Sequence, residues 1–151
     1  MNTVKIVDVA PSINNDELNE IEARLGILFP EDLRQHFLHF NGGRPVPNLF
    51  PKDDEYFPVH EFLPIKHGMR GTLFEDTYSD LVQGNDLFPK NLIPIASDSG
   101  GDYFCYNLES GNAGAICFYQ SDYYDDPSRA VVYLAASLEK FLNSLVSDEG
   151  E

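Results

Sequence analysis

Residues 91–128 concentrate the side chains best able to hold another molecule. This stretch carries six acids (Asp98, Asp102, Glu109, Asp122, Asp125 and Asp126), five of the chain's eight tyrosines (Tyr103, Tyr106, Tyr119, Tyr123 and Tyr124), and no Lys, Arg or His. A tyrosine offers a large ring and a hydroxyl at low entropic cost, which suits an interface. Carboxylates set among such rings suit capture of a basic protein surface, because close charge pairs couple strongly there. The partner-binding candidates are therefore Asp98, Asp102, Tyr103, Tyr119, Asp122, Tyr123, Tyr124, Asp125 and Asp126. The competing reading is a solvated loop beside ordinary strand aromatics.

Other chemistries find less support. The turn Asp98-Ser-Gly-Gly-Asp102, with Gly100 and Gly101 at its centre, has the look of a cation or phosphate loop. It lacks the further acids and distal Glu of an EF-hand, and no Lys or helix start follows it. An Asp in a turn more commonly bonds its own backbone. His36 and His39 share a helix face at a spacing of three, but a zinc site needs a third ligand, so both are expected to be partly exposed. Cys105 and Cys117 face each other if their hairpin centres on Gly111; two free thiols acting as small hydrophobes are the expectation. Neither a Ser nucleophile elbow nor a Cys–His arrangement is evident in the sequence, and among 25 acids some carboxylate pair always looks suitable for glycoside hydrolysis. The expectation is binding without catalysis, cofactor or metal.

Local signals define the elements that carry these residues. Asn14 and Glu17 form a capping-box pair ahead of Leu18, Ile21 and Leu25, and Gly26 ends that helix. Pro30 starts a second helix with Leu33, Phe37 and Phe40 as its buried stripe, widened by Leu38; Asn41-Gly42-Gly43 is expected to close it in the left-handed conformation. Five prolines between Arg44 and Pro64 restrict that segment to short strands near Asn48–Phe50 and Val59–Ile65, divided by an acidic loop at 52–55. A third helix is expected over Leu73–Val82. Strands follow at Asn91–Ser97, Asp102–Leu108, Ala115–Gln120 and Ala130–Leu134, joined in part by Gly-rich hairpin turns. Ser137 caps a last helix through Leu138, Phe141, Leu142 and Leu145, and residues 148–151 read as an acidic tail after a domain at 1–147. This order implies an α+β single domain: a mainly antiparallel, or mixed, sheet with helices from both ends of the chain packed on it.

Charge narrows the partner. Ten Lys and Arg against 25 Asp and Glu give a formal charge of −15 in a chain of 151 residues. Such a field opposes direct nucleic-acid binding and adhesion to anionic membranes, and it attracts cationic proteins. Solubility alone is the plainer explanation of the same number. No apolar run approaches the length of a membrane span, and Asp8 interrupts any signal-like start, so a cytoplasmic location is expected.

Three blocks resemble the SUKH superfamily, which includes fungal cell-wall-assembly regulators and bacterial immunity proteins. The first runs from Ile21 through Gly26 and Pro30 to Asn41-Gly42-Gly43; the second is Leu92-Ile-Pro-Ile-Ala-Ser-Asp-Ser-Gly-Gly-Asp102; the third is Ser137-Leu-Glu-Lys-Phe-Leu142. Phe29 stands where a Leu is usual before Pro30, and Ile116-Cys-Phe-Tyr-Gln120 stands where an aromatic-Trp-Asp-His run is common. The resemblance implies an α+β fold and a frequent role as immunity protein to a toxin, often a nuclease. The implied partner is a cognate toxin with a basic surface. Alternatives are a regulatory scaffold related to cell-wall synthesis, or a small-molecule-binding module.

Overall fold

Helix α1 (Asn15–Leu25) begins with a reciprocal cap: Glu17 N donates to Asn14 Oδ1 at 2.8 Å and Asn14 N donates to Glu17 Oε1 at 3.0 Å. Its stripe of Leu18, Ile21 and Leu25 is buried, and Gly26 closes it at φ 73°. These details come from a computed structural model that describes residues 4–69, 71–109 and 111–147. The expected acidic tail at 148–151 lies outside the described residues. Helix α2 (Glu31–His39) begins directly after Pro30, which sits at its N-cap. Arg34 Nη1 reaches back to Glu22 Oε1 at 3.1 Å, while Glu22 Oε2 accepts from Phe29 N at 2.7 Å, so one part-buried ion pair holds the two helices together. Phe29, in place of the usual Leu, packs its ring 5.2 Å from Phe37 and 5.5 Å from Phe74.

Three expectations for α2 need correction. The buried stripe is Leu33, His36 and Phe37, whereas Phe40 is 37% exposed and Leu38 only partly covered. The helix stops at His39, so Phe40 leaves the helical face in an extended conformation and His36 takes its place in the core. His36 is thus buried against Phe62, ring centroids 4.7 Å apart, instead of partly exposed; His39 is exposed. Left-handed backbone is confined to Gly42 and Gly43 in the Asn-Gly-Gly run. Asn41 is a buried cross-link: it accepts from Ile65 N at 2.6 Å and donates to Ile65 O at 2.9 Å and Pro11 O at 2.8 Å. The Gly43 requirement is steric as well as conformational, because a Cβ there would stand 2.7 Å from Ile6 Cγ2 and 2.9 Å from Val7 O.

That close approach sits where β1 (Lys5–Val7) pairs with β2 (Arg44–Val46), a two-stranded sheet the sequence did not suggest. The 52–55 segment is the tight turn of a second small sheet, β3 (Leu49–Lys52) with β4 (Glu55–Pro58); Asp53 takes its left-handed position. The long strand expected over Val59–Ile65 is shortened to β5 (Glu61–Phe62), although Leu63 N continues the pairing by donating to Ile95 O at 2.9 Å.

The main sheet is five-stranded and antiparallel, in the order β5-β6-β7-β8-β9, with β6 at Leu92–Ser97, β7 at Tyr103–Asn107, β8 at Ile116–Tyr119 and β9 at Val131–Ala135. The β7–β8 hairpin places Cys105 directly opposite Cys117 and Tyr103 opposite Tyr119, as a turn centred on Gly111 demands. Side chains alternate faces along a strand, so these four share one face. Across the core, Phe104 packs on Phe118 at 4.9 Å and on Phe141 of α5 (Leu138–Asn143) at 5.6 Å, with Phe50 stacked on Phe141 at 5.2 Å. Ser137 caps α5 by accepting from Lys140 N. The expected third helix is α3 (Phe74–Tyr78) running into a π-helical turn, Ser79–Gln83. A short α4 (Pro127–Ala130) before β9 was not foreseen. Helices and a mainly antiparallel sheet thus form one α+β domain. Among the described residues no helix is long and apolar enough to cross a membrane.

Candidate functional site

The turn between β6 and β7 is built by its own acids. Asp98 Oδ1 accepts from Gly100 N at 3.0 Å and from Asp102 N at 2.8 Å, so this carboxylate shapes the backbone, with Gly101 at φ 98° completing the bend. Asp102 has a different task. Its Oδ1 accepts from Ser121 Oγ at 2.6 Å and from Ser121 N at 3.2 Å, tying the turn to the segment that leaves β8. Two acidic stretches far apart in the chain become one surface by that contact.

The segment after β8 is held in shape from within. Ser121–Tyr123 form a 3-10 turn, Asp126 O accepts from Arg129 N and Ala130 N, both at 2.9 Å, and Asp126 Oδ1 accepts from Ser128 Oγ at 2.7 Å. Arg129 lies over the Tyr123 ring, 4.0 Å from its centroid, a cation–π contact that occupies both groups. Tyr123 is half-buried, whereas Tyr124 is 53% exposed, and the acids Asp122 and Asp125 beside it are exposed too.

A groove of about 320 Å³ opens where these pieces meet the chain after α3. Gly101, Asp102, Tyr103, Tyr119, Ser121 and Tyr124 line one side; Leu81, Asn85, Leu87 and Phe88 line the other. Of the candidates read from the sequence, Asp102, Tyr103, Tyr119 and Tyr124 are gathered here, while Asp98, Asp122, Tyr123, Asp125 and Asp126 do not line it. Tyr119 is 6% exposed and packs 4.6 Å from Phe88, so it forms part of the groove wall and not a projecting contact. Burial pushes the phenols of Tyr119 and Tyr103 up from their ordinary pKa, so both stay protonated at neutral pH. Sequence reasoning missed Leu81, Asn85, Leu87 and Phe88. The available signal was Leu87-Phe88 directly after Gly84-Asn85-Asp86, apolar residues in a loop, with Leu87 59% exposed.

The electrostatics are one-sided. From Asp76 to Asp126 the sequence holds nine acids and one base, Lys90. Lys90 Nζ donates to the backbone oxygens of Val82 and Asn85, closing the end of the π turn, so its charge is engaged by backbone dipoles. A larger cleft of about 590 Å³ lies along β5, lined among others by Arg44, His60, His67, Glu61 and Met69; Tyr103 borders both hollows. Cys105 and Cys117 are buried free thiols, and burial raises both, Cys117 to about 12, which leaves them unreactive. No cluster of three or more His, Cys, Asp or Glu among the described residues could hold a metal ion.

The helical hairpin, the Asn-Gly-Gly corner, the acidic turn and the closing helix all fall within residues 12–144, the span over which the sequence matches a known family. The chain belongs to the SMI1 / KNR4 family (SUKH-1). Every groove residue of this SUKH-1 domain lies inside the matched span. The chain is also similar to the SPbeta prophage-derived uncharacterized protein YokK of Bacillus subtilis (strain 168), with 28% identity over 153 residues, covering 91% of this chain and 78% of that protein.

Proposed function

We propose that this SUKH-1 chain is an immunity protein, which binds a bacterial toxin with a basic surface in the cytoplasm and occludes its active site or substrate groove. The observation that carries the reading is the Asp102–Ser121 tie, which joins the acidic turn and the Tyr-Asp loop around one aromatic groove. A nuclease suits such a surface, because the patch that grips nucleic acid is itself cationic. A prophage-derived relative and the resemblance to bacterial immunity proteins support the same reading. The action is binding, with no chemical step required of the chain.

Co-expression with a toxin encoded immediately upstream tests this directly. Growth is expected to be rescued and the two proteins to co-purify, while Asp122→Lys combined with Asp125→Lys removes protection with an unchanged circular dichroism spectrum. Absence of rescue by the wild-type chain overturns the reading. The larger cleft, bordered by Arg44, His60 and His67, favours a second one, a small-molecule-binding module. Thermal stabilisation by a small anionic metabolite, with no toxin bound, would select it.

A further inference from the structure

We infer that the groove between Leu87 and Tyr124 is a pocket for a single arginine side chain of the partner. The inference rests on the protein-capture reading for the source of that side chain and otherwise on groove geometry. Two polar atoms on the groove wall are left without partners. Asp102 Oδ1 is pinned by two bonds from Ser121, but Oδ2 makes no hydrogen bond among the described residues. Tyr119 is more than nine-tenths buried, and its hydroxyl likewise has no hydrogen-bond partner among the described residues. Both atoms are open to solvent, because the buried unpaired side-chain atoms among the described residues are His36 Nε2 and Glu75 Oε1, so each can accept from an incoming donor.

The chemistry of that donor follows from what surrounds it. A pinned carboxylate oxygen accepts hydrogen bonds and carries negative charge, and the phenol oxygen also accepts. The rings of Phe88, Tyr103, Tyr119 and Tyr124 contribute flat apolar walls. A guanidinium is planar, always charged, weakly hydrated and bears several N–H groups in a fixed fork, so one group can stack on a ring while bonding two acceptors. An ammonium is more strongly hydrated and has no face to stack. The chain's own Arg129 is stacked on Tyr123, outside the groove, and Lys90 is held by carbonyls, so neither fills the pocket.

The probe is the capped peptide acetyl-Gly-Arg-Gly-amide, titrated into the ¹⁵N-labelled chain beside its lysine and citrulline counterparts. Saturable shifts are expected at Gly101, Asp102, Tyr103, Tyr119 and Ser121, with lysine weaker by several-fold and citrulline silent. Asp102→Asn keeps an oxygen for Ser121 and is expected to weaken arginine binding about tenfold; Tyr119→Phe weakens it about threefold. Asp54→Asn, the same charge change on the β3–β4 turn, leaves it unaltered. No saturable shifts, equal binding of citrulline or lysine, or equal losses in Asp54→Asn and Asp102→Asn each overturn the pocket. Toxin neutralisation with a silent arginine peptide removes the pocket and leaves the immunity reading; a bound peptide without neutralisation does the reverse.

Discussion

His36 is buried with no partner for Nε2, and loss of hydration drives its pKa down to about 4. An unfolded chain holds the same imidazole near its ordinary value of about 6.5. As pH falls through that value the unfolded state takes up the proton first, so stability is full above about 6.5 and declines as pH drops toward 4. At about 1.4 kcal/mol per pH unit the total loss is about 3 kcal/mol. Urea unfolding of the wild type between pH 7 and 4.5 is expected to show most of that decline, and His36→Leu to remove it; parallel pH profiles would refute the assignment. Asn41 is equally buried but fully used, with its oxygen and nitrogen both bonded to Ile65, which explains why a polar residue is tolerated there. Neither role was legible locally. The His36–His39 spacing is visible in the sequence, but Phe62, which buries His36, comes from β5.

At the level of elements, the glycines separate strain from contact. Gly43 and Gly111 have the same φ, 94°, but a Cβ at Gly111 meets nothing within 4 Å. Gly111→Ala is expected to cost only the left-handed penalty, about 1–2 kcal/mol. Gly43→Ala adds the clash with Ile6 and Val7 and should cost about 3 kcal/mol or more. Equal losses in denaturant titrations would mean that β1 yields freely. The caps of α1 and α5, the stripe of α1 and the β7–β8 hairpin were legible because each depends on neighbours within one turn or one hairpin. β1 and β2 were not, since their pairing joins Lys5–Val7 to Arg44–Val46 across two helices. The π turn at Ser79–Gln83 also escaped notice; its end is fixed by Lys90 from outside the helix.

Over the whole molecule, a net charge of −15 makes association with a basic partner sensitive to ionic strength. The association rate measured by stopped flow is expected to fall about tenfold or more between 20 mM and 500 mM NaCl, with dissociation changing far less. A flat association rate would show that charge does not steer the encounter. The acidic excess and a mainly antiparallel sheet follow from composition and hairpin signals, so the chain alone indicated them. Cys105 opposite Cys117 was conditional on a turn centred on Gly111 and was decided by the β7–β8 register. The groove did not follow. Asp102 meets Ser121 only once β7 and β8 are paired, and Leu87 and Phe88 arrive from a loop before β6. Local patterns report on near neighbours; a hollow shared by three distant segments exists only after packing has brought them together.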